Sequence, residues 1–96
     1  MKQTFNPFED MVNAFKLLCN ETRLLIIKLL SEGEHSVNSI VDTLNMDQST
    51  VSHQLKNMRA LDVVKTKRVG KRIFYSLSDD KIRELFEVGY SQANNK

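Results

Sequence analysis

The chain has 96 residues, 41% of them apolar, which suits one compact domain and leaves a monomer so little surface to bury that dimerisation would add stability. No apolar run is long enough to span a bilayer, the start Met1-Lys2-Gln3-Thr4-Phe5-Asn6-Pro7 lacks the apolar core of a signal peptide, and the single cysteine, Cys19, excludes an internal disulfide and any cysteine-pair zinc site within one chain. These features predict a cytoplasmic protein, and the net charge of +2 is too small by itself to name a partner.

Asn6-Pro7-Phe8-Glu9 reads as a helix start, with Asn6 as cap, Pro7 at the first helical position and Glu9 placed to return a capping bond. Phe8, Met11, Val12, Phe15 and Leu18 then keep helical spacing. A second helix starts after Asn20, carries Leu24, Leu25, Ile26, Ile27, Leu29 and Leu30, and is apolar nearly all round, which predicts a central buried helix stopped by Gly33. Ser36 caps a short third helix with Val37, Ile40, Val41 and Leu44 inward. Asn45-Met46-Asp47 leaves room only for an abrupt turn, and Asp47 caps the next helix, so the two form a helix-turn-helix.

The helix at about 48–60 carries the most information. At roughly 100° per residue, Val51, Leu55 and Met58 fall on one stripe, with Ser49, His53, Lys56 and, at the flank, Ser52 opposite. Short hydroxyls, an imidazole and one cation can hydrogen-bond phosphates and base edges, whereas a routine solvated face carries Glu and Lys pairs. This predicts a major-groove reader using Gln48, Ser49, Ser52, His53 and Lys56, with the helix N-terminus and Ser49 near phosphate. An ordinary amphipathic helix is the alternative.

The runs Val63 to Arg68 and Lys71 to Leu77, separated by Val69-Gly70, predict a hairpin at about 63–77. Its turn region holds Lys65, Lys67, Arg68, Lys71 and Arg72 and no acid. A solubilising edge would also use lysines, but clustering on both arms fits a wing that follows a DNA backbone or enters a minor groove. The charge agrees. From Gln48 to Leu77 seven cations face Asp62 alone, a net +6, while the rest of the chain nets −4, as expected of a nucleic-acid-binding face on an acidic body. A last helix at about 79–93, opened by Ser78-Asp79-Asp80, places Ile82, Leu85, Phe86 and Gly89 on one stripe, and Asn94-Asn95-Lys96 is expected to fray.

Leu18-Cys19-Asn20-Glu21-Thr22-Arg23-Leu24 and Gln48-Ser49-Thr50-Val51-Ser52-His53-Gln54-Leu55, with the wing followed by Phe74-Tyr75-Ser76-Leu77, resemble the ArsR/SmtB family of small dimeric winged-helix transcriptional repressors over nearly the whole chain. The resemblance implies a mainly α fold with a small β-hairpin wing, a single DNA-binding domain over 1–96, and a homodimer built from the first and last helices. Each protomer would then place its recognition helix in successive major grooves of an imperfect palindrome. Phe8, Phe15, Leu85 and Phe86 become interface residues, or else private core.

Many members of that family sense metals. The positions matching the last-helix site read Asp79, Lys81, Gln92 and Asn95, and those matching the Cys-x-Cys site read His35-Ser36-Val37-Asn38. The first set lacks its imidazole donors and the second its thiolates, so no metal or cofactor is expected at the usual places. Asp79 and Asp80 read as acids in a first helical turn, and His35 as a solvated residue. Cys19 reads as a small buried residue between two helices, or as a thiol sensing an oxidant or electrophile. A small effector therefore has no assigned site: none, Cys19, or a metal held by an unusual set from Asp79, Asp80, Glu84, Glu87 and His35. A winged-helix protein-interaction module is the alternative function. No nucleophile with a base and no phosphate loop suggests an enzyme.

Overall fold

The computed structural model describes residues 7–94. In chain order the elements are α1 (Pro7–Leu18), α2 (Glu21–Ser31), β1 (His35–Ser36), α3 (Val37–Leu44), α4 (Gln48–Ala60), β2 (Val64–Val69), β3 (Arg72–Leu77) and α5 (Asp80–Asn94). The strands form one antiparallel sheet in the order β1-β3-β2. This is a winged helix-turn-helix.

Side-chain caps place the helix starts. Asn20 Oδ1 accepts from Arg23 N at 3.0 Å, Ser36 Oγ from Ser39 N at 3.2 Å, and Asp47 Oδ2 from Thr50 N at 3.0 Å, each satisfying a donor that has no partner inside the helix. Asp79 Oδ1 does the same for α5, accepting from Lys81 N at 2.9 Å and Ile82 N at 3.3 Å. The cap expected at Asn6 lies outside the described residues, as do Asn95 and Lys96 of the tail expected to fray. The abrupt turn between α3 and α4 is made by Asn45, left-handed at φ 55° and ψ 49°, whose N–H reaches Val41 O. Asparagine tolerates that conformation better than a branched residue, and it lets α4 start with only three residues between it and the end of α3.

The core is shared. Ile26, Ile27 and Leu30 of α2, Ile40 of α3, Val51, Leu55 and Met58 of α4, and Val64 and Leu77 of the hairpin form one buried cluster, with Val37, Val41 and Leu44 packed against it. The stripe predicted for α4 is the stripe that is buried, because α4 lies over α3 and the root of the hairpin.

Helix α2 ends at Ser31 with Glu32 as its C-cap, and Gly33 follows at φ +153° with its N–H on Leu30 O at 3.2 Å, the stop expected of it. Three local expectations are corrected. Helix α2 is not buried all round: Leu25 is exposed and Leu24 half-buried, because both face the groove toward α5. The hairpin turn is Gly70-Lys71, not Val69-Gly70, since Val69 stays on the ladder opposite Arg72. Gly70, at φ +64°, takes the first corner, where a tight hairpin turn needs a positive φ that β-branched Val69 resists. His35 is half-buried rather than solvated: it pairs with Tyr75 in β1, and its Nδ1 lies 2.8 Å from Ser39 Oγ.

Candidate nucleic-acid interface

Because Val51, Leu55 and Met58 anchor α4, its other side is presented outward: Gln48, Ser49, Ser52, His53 and Lys56 are all exposed. Its N-terminus carries a closed set of hydrogen bonds. Asp47 accepts from Ser49 Oγ at 2.7 Å and from Thr50 Oγ1 at 2.8 and 2.9 Å, besides the Thr50 N–H. The Ser49 and Thr50 hydroxyls, then the Thr50 N–H, stabilise the carboxylate and hold the Asp47 pKa at about 2, against an ordinary 3.8. Ser49, expected near phosphate, thus spends its hydroxyl proton on Asp47 in the free protein. The imidazole of His53 lies at the edge of hydrogen-bond reach of Asn57, 3.4 Å from Nε2 to Nδ2.

The five wing cations are exposed, but the register divides them. Val64 pairs with Leu77, Thr66 with Tyr75 and Arg68 with Ile73 on the face that continues the core, while Lys65, Lys67 and Arg72 alternate onto the other face. Lys67 Nζ is 3.4 Å from Glu34 Oε1, Arg68 Nε donates to Gly70 O at 3.1 Å, and Lys71 stands at the turn. Between α4 and the sheet lies a cleft of about 450 Å³ lined by Ser52, Lys56, Arg59 and Tyr75. Arg59 and Tyr75 were not assigned to the interface from the sequence. Arg59 follows Lys56 by three residues, which put it on the same flank, but Tyr75 becomes adjacent only through strand pairing.

The family positions for metal do not fit a metal here. Asp79 Oδ1 is occupied by two backbone N–H groups, Lys81 adds an ammonium, Gln92 offers only an amide, and Asn95 lies outside the described residues. At the other position Ser36 Oγ caps α3, and Asn38 stands where a second thiolate would be needed. Among the described residues no three His, Cys, Asp or Glu side chains gather into a metal-binding group. Cys19 is exposed, contrary to the small buried residue expected, because the break between α1 and α2 turns it outward.

The surface of α1 and α5 is apolar and open. Phe8 is 72% and Phe15 47% exposed, Leu85 is exposed, and α5 has no buried residue. Phe86 is half-buried and stacks on Tyr90 with ring centroids 5.5 Å apart. A groove of about 390 Å³ between α2 and α5 is lined chiefly by Leu18, Leu24, Leu25, Leu85, Phe86 and Tyr90.

The sequence pattern of the bacterial regulatory protein, arsR family, matches residues 20–66, from the cap of α2 through α4 into the wing. An HTH-type transcriptional regulator of Methanocaldococcus jannaschii is 35% identical over 84% of this chain and 92% of its own length. The chain belongs to the ArsR family. Other ArsR-type relatives agree: a transcriptional repressor, an SmtB homolog of Synechocystis sp., is 32% identical over 81% of this chain and 59% of its own. In three dimensions, the homodimeric winged helix-turn-helix DNA-binding domain of a possible ArsR-family regulator from Mycobacterium bovis superposes with a TM-score of 0.82 at 26% identity, over 98% of this chain and 91% of that one. This ArsR-family chain is accordingly a DNA-binding transcriptional repressor and not an enzyme. Among the described residues no helix is long and apolar enough to cross a membrane.

Proposed function

We propose that this repressor binds an imperfect palindromic operator as a homodimer in the cytoplasm, reading bases with Gln48, Ser52, His53 and Lys56 and following the backbone with the wing. The observation that carries the reading is the α4 face: hydroxyl, imidazole, amide and cation side chains stand clear of the core beside a cleft whose cations are Lys56 and Arg59. Dimerisation is supported by the open apolar faces of α1 and α5. It is also supported by a radius of gyration of 14.8 Å, where a self-contained chain of this length has about 12.5 Å. Phe8, Phe15, Leu85 and Phe86 would lie at that interface.

Control by a metal at the family's usual positions is not part of this proposal, since their donors are unsuited. A small effector, if one acts, works elsewhere. Fluorescence anisotropy with duplexes selected by the protein from a random pool tests the reading. A selected duplex should bind at least a hundredfold tighter than a scrambled one, with affinity falling steeply with salt. Equal binding of both, or indifference to salt, would sink it.

A further inference from the structure

We infer that Arg23 is a positioning residue for operator reading, acting through Gln54 to set the rotation of α4 about its own axis. The inference rests on the reading of α4 as the base-contacting helix. Arg23 lies in the first turn of α2 and Gln54 in the middle of α4, 31 residues apart, and Arg23 Nε donates to Gln54 Oε1 at 2.9 Å. Both side chains are half-buried, so the bond is shielded from full competition by water. Arg23 is itself held at its backbone, where its N–H donates to Asn20 Oδ1 at 3.0 Å. Asn20 therefore orients the residue whose side chain grips the reading helix. The Asn20-Glu21-Thr22-Arg23 stretch gains a purpose beyond starting α2.

The physical need for such a grip follows from how the rest of α4 is held. Val51, Leu55 and Met58 bind it through apolar contact, which is strong but nearly indifferent to direction. A hydrogen bond is directional, and Gln54 adjoins both His53 on the outward face and Leu55 on the buried one. A helix with side chains has a radius of roughly 5–6 Å, so a roll of about 10° moves an outward atom by about 1 Å. That displacement is enough to break a base-edge hydrogen bond while leaving phosphate contacts, which tolerate adjustment, largely intact. Loss of the grip should therefore cost discrimination more than overall binding.

The test compares Arg23→Met, which keeps the apolar stem and removes the donor, with Gln54→Ala, which removes the acceptor from the other side. The double variant and Arg23→Lys complete the set. The probe is a duplex selected from a random pool by the unaltered protein, with a scrambled duplex of equal length as reference. Expected are a loss of about tenfold on the selected duplex for either single variant, less than twofold on the scrambled one, an unchanged salt slope, no further loss in the double variant, and partial recovery in Arg23→Lys. Equal weakening on both duplexes, with the slope reduced by about one, would make Arg23 a phosphate contact and overturn the inference, as would losses that multiply in the double variant. Ser52→Ala and His53→Ala keep the two ideas separable. If they alter sequence preference and Arg23→Met does not, the positioning role alone is refuted. If they too leave preference unchanged, the reading of α4 fails.

Discussion

Helices α4 and α5 are both amphipathic, yet they finish differently. In α4 the apolar stripe is satisfied inside the protomer: Val51, Leu55 and Met58 are at most 1% exposed, and apart from Ala60 only polar side chains are left facing out. In α5 the stripe is barely used: no residue is buried, although Ile82 and Phe86 pack against the core cluster. A spare polar face looks for a polar partner and a spare apolar face for an apolar one. On the proposed reading the face of α4 meets DNA and that of α5 a second copy of the chain, and this contrast is open to attack from both sides.

The largest effect is expected at the satisfied stripe. Leu55→Ala empties a site inside the buried cluster and should lower folding stability by about 2–5 kcal/mol, read as a shift of the urea midpoint at unchanged slope. Leu85→Glu should leave the isolated protomer folded but charge the open stripe, raising the dimer dissociation constant by two or more orders of magnitude in sedimentation equilibrium. If it instead unfolds the chain as Leu55→Ala does, the α5 face is private core and the comparison collapses.

A smaller effect sharpens the DNA side. Arg68 shares the sheet face that continues toward α4 and Lys71 stands at the tip, whereas Lys67 is paired with Glu34 on the other face. Arg68→Ala and Lys71→Ala should each weaken all duplexes by a similar factor and reduce the salt slope by about one, while Lys67→Ala changes both less. A larger loss at Lys67 would mean that DNA meets the opposite face of the wing. The smallest effect is at the cap. Asp47→Ala should melt at a lower temperature than the parent at neutral pH, because its carboxylate is favoured in the folded state. With its folded pKa depressed to about 2 from 3.8, that stabilisation is present above pH 3.8 and lost as pH falls through about 2, so the two melting curves should converge over that window.

Much of this was legible without coordinates because it rests on local rules. The caps at Asn20, Ser36 and Asp47, the three-residue turn, and the burial of Val51, Leu55 and Met58 each follow from residue type and a 3.6-residue period. What escaped was non-local or too short to carry a period. Strand β1 has only two residues and exists because β3 offers an edge to His35 and Ser36. The displacement of the turn by one residue is likewise a property of pairing, since Val69 is held opposite Arg72. Cys19, read as buried, sits at a break between helices whose direction no periodicity encodes.

Which faces are apolar and which are polar, where the helices begin, and the basic character of the region from α4 through the wing are all written in the residue order, since they are properties of neighbours along the chain. It took the packing of the elements to set which cations share a face with Tyr75, which apolar stripe stays largely exposed, and that Arg23 meets Gln54. Those are distances between residues far apart in sequence, set by how helices and strands pack rather than by what each residue prefers alone.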